Sequence, residues 1–168
     1  GALGISTSRT TKHKSANGNL TPSLSADDKE LAGIAEGLKK ANKGLLQCNC
    51  DMGPGEMELL MQASKHSGQP LSVLLIQYND CPERWRETLS YIKQANKNGI
   101  ITTGQVGSRP IGVLMGFNTS VNPFSSHETW KKIKHLSPIE RNKIIRNNFD
   151  IRASLINNIP ENGYTKWI

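Results

Sequence analysis

Short apolar runs alternate with helical patterns along the first two thirds of the chain. The runs are residues 2–6 (Ala-Leu-Gly-Ile-Ser), 45–50 (Leu-Leu-Gln-Cys-Asn-Cys), 71–77 (Leu-Ser-Val-Leu-Leu-Ile-Gln) and 100–106 (Ile-Ile-Thr-Thr-Gly-Gln-Val). Between the first two, Leu31, Ile34, Ala35, Leu38 and Ala41 recur at the spacing of one buried helical face. Asp27 or Asp28 can cap that helix, Lys39, Lys40 and Lys43 suit its C-terminal dipole, and Gly44 offers a stop. A second helix is predicted over 56–66, closed by Gly68, and a third starts at Pro82, carries Trp85, Leu89, Ile92 and Ala95 on one side, and ends at Gly99. Strands alternating with helices predict an α/β fold with about four parallel strands and flanking helices. In such folds the chemistry sits where the strands end at their carboxyl side.

The alternation stops after residue 106, so the chain reads as one segment, 1–168, with βα repeats over 1–106 and a loop and helical insertion over 107–168. Ser125-Ser126-His127-Glu128 and Ser137-Pro138-Ile139-Glu140 both fit the capping box, and a further helix is predicted over 149–157. The first run begins at residue 1, as expected of an internal piece of a larger fold; 168 residues fall short of the roughly 200–250 of a complete eight-stranded barrel.

Hydrophobic residues make up 36% and charged residues 21%, which excludes a disordered chain, and no apolar run reaches the ~20 residues of a spanning helix. A net charge of +7 permits an anionic partner, but the excess lies in Lys- and Arg-rich helical stretches that read as solvated faces. Three cysteines, Cys48, Cys50 and Cys81, fit reduced thiols in the cytoplasm better than a disulfide framework.

Candidate chemistry gathers after the strands. Residues 1–9 read as a strand running into a polar loop over 10–25 that holds His13, whereas His66, His127 and His135 read as exposed helix-end residues. Cys48 and Cys50 share a strand face with Asp51 beyond them, a partial zinc donor set, although buried Cys as a small hydrophobe is the favoured reading. Gln77, Gln105 and Arg109 end the third and fourth strands, where amides and a guanidinium suit a carboxylate; Arg109-Pro110 can equally fix a turn. Gly-x-Gly-x-x-Gly, P-loop and Gly-x-Ser-x-Gly patterns are absent.

As a block, Gly-Ala-Leu-Gly-Ile-Ser-Thr-Ser-Arg at 1–9, Gln-Val-Gly-Ser-Arg-Pro-Ile-Gly-Val-Leu-Met-Gly at 105–116, Asn-Pro-Phe at 122–124 and Leu-Ser-Pro-Ile-Glu-Arg at 136–141 resemble the amidohydrolase superfamily, in its N-acyl-D-amino-acid deacylase (D-aminoacylase)-like branch. The resemblance implies a partial (β/α)₈ TIM barrel covering about the fourth to seventh strands. It further implies hydrolysis of linear amide bonds of N-acyl (D-)amino acids, that is, of carbon–nitrogen bonds other than peptide bonds. The implied cofactor is a divalent metal, zinc, with ligands outside this segment; the histidines that the branch carries at its fifth and sixth strand ends are missing from Gln47–Asp51 and Leu75–Tyr78. No metal ligand is therefore assigned here. Such a metal would lower the pKa of a bound water to about 7. The substrate-facing residues implied are Arg9, His13, Asp51, Gln77, Gln105 and Arg109, with Ser8 beside them. The implied partner is a small N-acyl amino acid, with no nucleic acid and no membrane, and the segment alone is expected to be inactive. Two alternatives stand beside this reading: a barrel or binding module without its metal site, and a basic nucleic-acid-binding domain.

Overall fold

The structure is a computed structural model and describes residues 1–78, 81–110, 112, 114–119 and 122–158. It forms two compact units, one of residues 1–15 and 19–110, the other of residues 16–18 and 111–168.

The first unit is an α/β layer. Strands β1 (Ile5–Arg9), β2 (Leu46–Cys50), β3 (Leu71–Leu74) and β4 (Thr102–Gln105) form one parallel sheet in sequence order. Helices α1 (Asp28–Ala41), α2 (Glu56–Ser67) and α3 (Arg84–Lys97) connect them. Leu31, Ala35 and Leu38 of α1, Met57, Leu60 and Ala63 of α2 and Ile92 of α3 join Leu46, Cys48, Cys50, Leu71 and Val73 in one buried cluster. The helices therefore cover a single face of the sheet. That follows from order: right-handed crossovers between sequential parallel strands bring every helix to the same side.

The first strand lies later than its apolar run. Pairing starts where Ile5 N–H donates to Leu45 O at 2.9 Å, in the register Ile5↔Leu46 to Arg9↔Cys50. The polar sequence Ser-Thr-Ser-Arg closes the strand as expected, with Thr7 and Arg9 buried while Ser6 and Ser8 line the other face. Gly4 is needed ahead of it, because a Cβ there would meet Leu45 O at 2.2 Å. β3 and β4 are likewise shorter than the runs that announced them.

Asp27 caps α1, its carboxylate accepting from Glu30 N–H at 3.1 Å. The helix closes on Asn42 in the left-handed region (φ 49°), whose N–H donates to Lys39 O, so Gly44 is not the stop. Gly68 caps α2 as expected, at φ 67°. α3 begins at Arg84, with Pro82 in the turn before it.

The second unit carries α4 (Glu128–Ile133), α5 (Pro138–Asn147) and α6 (Phe149–Asn157). Trp130, Ile133 and Leu155 are its buried centre, with Phe117, Phe124, Ile144 and Ile151 against them. Ser137 and Glu140 complete both halves of the capping box of α5. The box expected at 125–128 is replaced by an imidazole cap: His127 Nδ1 accepts from Thr129 N–H at 3.0 Å, and Nε2–H donates to Ser154 O at 3.1 Å. His127 is thus buried and structural rather than an exposed helix-end residue. Among the described residues no helix is long and apolar enough to cross a membrane.

Candidate functional site

The uncovered face of the sheet carries the alternate residues of the strands that build the core. Its first row is Ser6, Gln47, Ser72 and Thr103, in register across all four strands. Nearer the carboxyl ends lie Ser8, paired with Asn49, and Leu74, paired with Gln105. Ser6 Oγ donates to Gln47 Oε1, and Gln47 Nε2 donates to Gln105 Oε1 at 3.1 Å. The amides of β2 and β4 thus meet on this face, spanning the width of β3. A sheet face of neutral donors and acceptors is costly to bury without partners and suits contact with a polar ligand or with water.

His13 is brought to the end of this face. Its Nδ1 lies 2.5 Å from Ser8 Oγ and its Nε2 lies 3.4 Å from Asn49 Nδ2. The ring is exposed, and a strand residue of β1 and one of β2 fix it at both nitrogens. Beside it, Lys12 Nζ stands 3.8 Å from the centre of the Tyr78 ring, a cation–π contact at the end of β3.

Asp51, directly after β2, organises the loop that carries His13. Its carboxylate accepts from Thr10 Oγ1 at 2.5 Å, from Thr11 N–H at 2.8 Å and from Thr11 Oγ1 at 2.8 Å. Burial pushes the carboxyl pKa up, but these donors, with the charge of Lys12, outweigh it and hold the group below its ordinary value. Asp51 is an anionic anchor that accepts three hydrogen bonds from the loop it holds.

Arg9 is committed in the same sense. Only 6% exposed, its guanidinium donates through Nε and Nη2 to both Glu56 oxygens, at 2.7 and 2.9 Å, and through Nη1 to Ala26 O at 2.7 Å. The hydrogen bond to Glu56 raises its pKa, against the opposing effect of burial. The fork ties the end of β1 to the first turn of α2 on the helix-covered side. Gln77 is exposed beyond the end of β3, and Gln105 is the last residue of β4. Arg109 is exposed on the bend that follows β4. The structure therefore brings His13 together with Ser8 and Asn49, and Gln105 together with Gln47, while Arg9 and Asp51 serve the frame.

Cys48 and Cys50 are buried against the helices, with Cys50 Sγ 3.3 Å from Met52 Sδ. A hydrogen bond to Cys50, and burial, raise the Cys48 pKa and keep that thiol protonated. Among the described residues no three His, Cys, Asp or Glu side chains converge in a way that could hold a metal ion. His13 has hydroxyl and amide neighbours, and the Asp51 carboxylate is engaged by hydroxyl and amide donors of the loop, so this donor set does not fit the divalent metal that the family resemblance implies. Gln47 and Asn49 were hidden in the sequence as members of a strand end; the alternation Leu-Gln-Cys-Asn-Cys was the signal that sets them on one face.

No family model matches the chain, and no curated protein and no solved structure matches it.

Proposed function

We propose that the chain forms four strands of a (β/α)₈ amidohydrolase barrel that hydrolyses N-acyl (D-)amino acids, with its polar sheet face as part of the substrate wall. One observation carries this reading: four parallel strands in sequence order bear helices on one face and neutral hydrogen-bonding side chains on the other. A doubly wound sheet needs helices on both faces. A sheet that curls toward closure needs them on only one, and it places its chemistry where Ser8, His13, Asn49 and Gln105 lie, at the carboxyl ends. The outer edges of β1 and β4 pair with no further strand among the described residues, and Ile5, Ile101 and Val106 are exposed at or beside them. Those edges support continuation of the sheet.

The amides of Gln47, Asn49 and Gln105 suit the acyl amide of such a substrate, and Arg109 suits its carboxylate by a bidentate fork. Zinc is the metal proposed from the resemblance, with ligands from outside this segment. Three free cysteines accord with a cytoplasmic setting. The test is amine release from a panel of N-acyl-D- and N-acyl-L-amino acids by the full-length protein, with and without a chelator. Hydrolysis that the chelator abolishes is expected; no hydrolysis by metal-supplemented protein would overturn the reading.

A further inference from the structure

We infer that Ser8 and His13 form a nucleophile–base pair that accepts an acyl group from small activated esters, independently of any metal. Ser8 Oγ and His13 Nδ1 are 2.5 Å apart, within the reach of a proton transfer. The pair is accessible: Ser8 is half-buried at the end of β1, on the polar face, and His13 is exposed above it. It is also held. Thr10 and Thr11, separated from His13 by Lys12 alone, are fastened to Asp51, so the ring is carried on an anchored segment. Asn49, 3.4 Å from Nε2, is placed as the third group that a working dyad requires.

The imidazole has two neutral tautomers, and they give the pair opposite characters. With the proton on Nδ1, the ring donates to Ser8 and accepts from Asn49 Nδ2. With the Asn49 amide turned over, Nε2–H donates to Asn49 Oδ1 and Nδ1 accepts the Ser8 O–H. The second arrangement is the reactive one, and it requires only a half-turn about the Asn49 side-chain amide, whose two ends have similar size.

In that arrangement Ser8 Oγ attacks the acyl carbonyl carbon, and its proton passes to His13 Nδ1. The tetrahedral adduct collapses by breaking the bond to the leaving alcohol, which takes the proton back from Nδ1. A Ser8 ester and a free alcohol result. Water then attacks that ester and gives a proton to Nδ1; collapse breaks the acyl–Oγ bond, and Oγ recovers the proton, releasing a carboxylic acid. The cycle balances without oxidant, reductant or metal. An activated phenyl ester is the substrate class best suited to it, because its alcohol leaves with little protonation.

The test uses the whole chain, with Cys81→Ser to remove the exposed thiol, and p-nitrophenyl acetate in the presence of a chelator. A burst of p-nitrophenolate is expected, with one acetyl group mapped by mass spectrometry to Ser8. Ser8→Ala should remove that acetyl group, and His13→Gln should slow acylation by about 100-fold or more. Ser8→Cys provides a second nucleophile in the same place and should be acylated with the same dependence on His13, so a fold defect in the alanine variant does not decide the outcome. Acetylation confined to lysines, or unchanged in both Ser8→Ala and His13→Gln, would overturn the inference. Acylation of Ser8 in a protein that hydrolyses no N-acyl amino acid would leave this pair standing while the amidohydrolase reading falls.

Discussion

The two faces of the sheet are built from alternate residues of the same strands, yet they differ in almost every physical respect. On the helix-covered face Leu46, Leu71, Val73 and Cys48 are wholly buried, and the charged side chain that β1 places there, Arg9, is matched to Glu56. On the other face Ser6, Ser8, Gln47, Asn49, Thr103 and Gln105 are partly or fully exposed; Gln47 bonds to Ser6 and Gln105, and Ser8 and Asn49 bond to His13. The first face spends its residues on excluding water, which is where stability comes from. The second spends them on directed donors and acceptors, which contribute little net stability but can recognise a polar ligand. A residue's effect on folding should therefore depend on its parity along the strand.

The largest effect is expected at Leu46. Leu46→Ala removes a fully buried side chain from the centre of the helix-covered face and should cost about 2–5 kcal/mol in chemical denaturation. Its neighbour Gln47→Ala should cost less than about 1 kcal/mol. Equal losses at the two positions would erase the distinction between the faces. Arg9→Met should follow at about 3 kcal/mol, near the low end for breaking a buried pair because Glu56 is still partly open to water. Gly104→Ala should cost about 1–2 kcal/mol, since a Cβ there would stand 3.0 Å from Leu75 Cδ2 and 3.2 Å from Ile92 Cδ1.

The smallest effect concerns Asp51 and has a defined sign. Its pKa is depressed in the folded state, so its contribution is fully present above the ordinary aspartate range and is lost as pH falls through the folded value. Wild type should exceed Asp51→Asn in stability at pH 6, and the gap should close well below about pH 4. A gap that persists in strong acid would mean that packing, rather than the charge, holds the loop.

Much of the frame was legible because it follows from periodicity. The stripe Leu31, Ala35, Leu38 is buried as its spacing requires, and Ser137 with Glu140 makes the box that its letters spell. The strand read over 1–9 ends at Arg9 as expected, but pairing begins only at Ile5, because the apolar Ala2 and Leu3 stand exposed ahead of the sheet while the buried positions are Thr7 and Arg9. A buried arginine is invisible to an apolar pattern; it becomes legible only with its partner, and Glu56 lies far along the chain. The same limit applies to the site. His13 stood out by residue type, but its pairing with Ser8 and Asn49 depends on the register of β1 against β2. His127 misled for the converse reason, since an imidazole that caps a helix and reaches Ser154 has the same local sequence as an exposed one.

The division between a stabilising face and a working face is tested most directly by replacing Gln47, Asn49 and Gln105 together with leucine in the full-length protein. The expected result is a thermal midpoint at or above that of wild type, with hydrolysis of N-acyl amino acids reduced about tenfold or more, equivalent to ~1.4 kcal/mol of transition-state stabilisation. A midpoint that falls as far as that of Leu46→Ala while turnover is kept would contradict it.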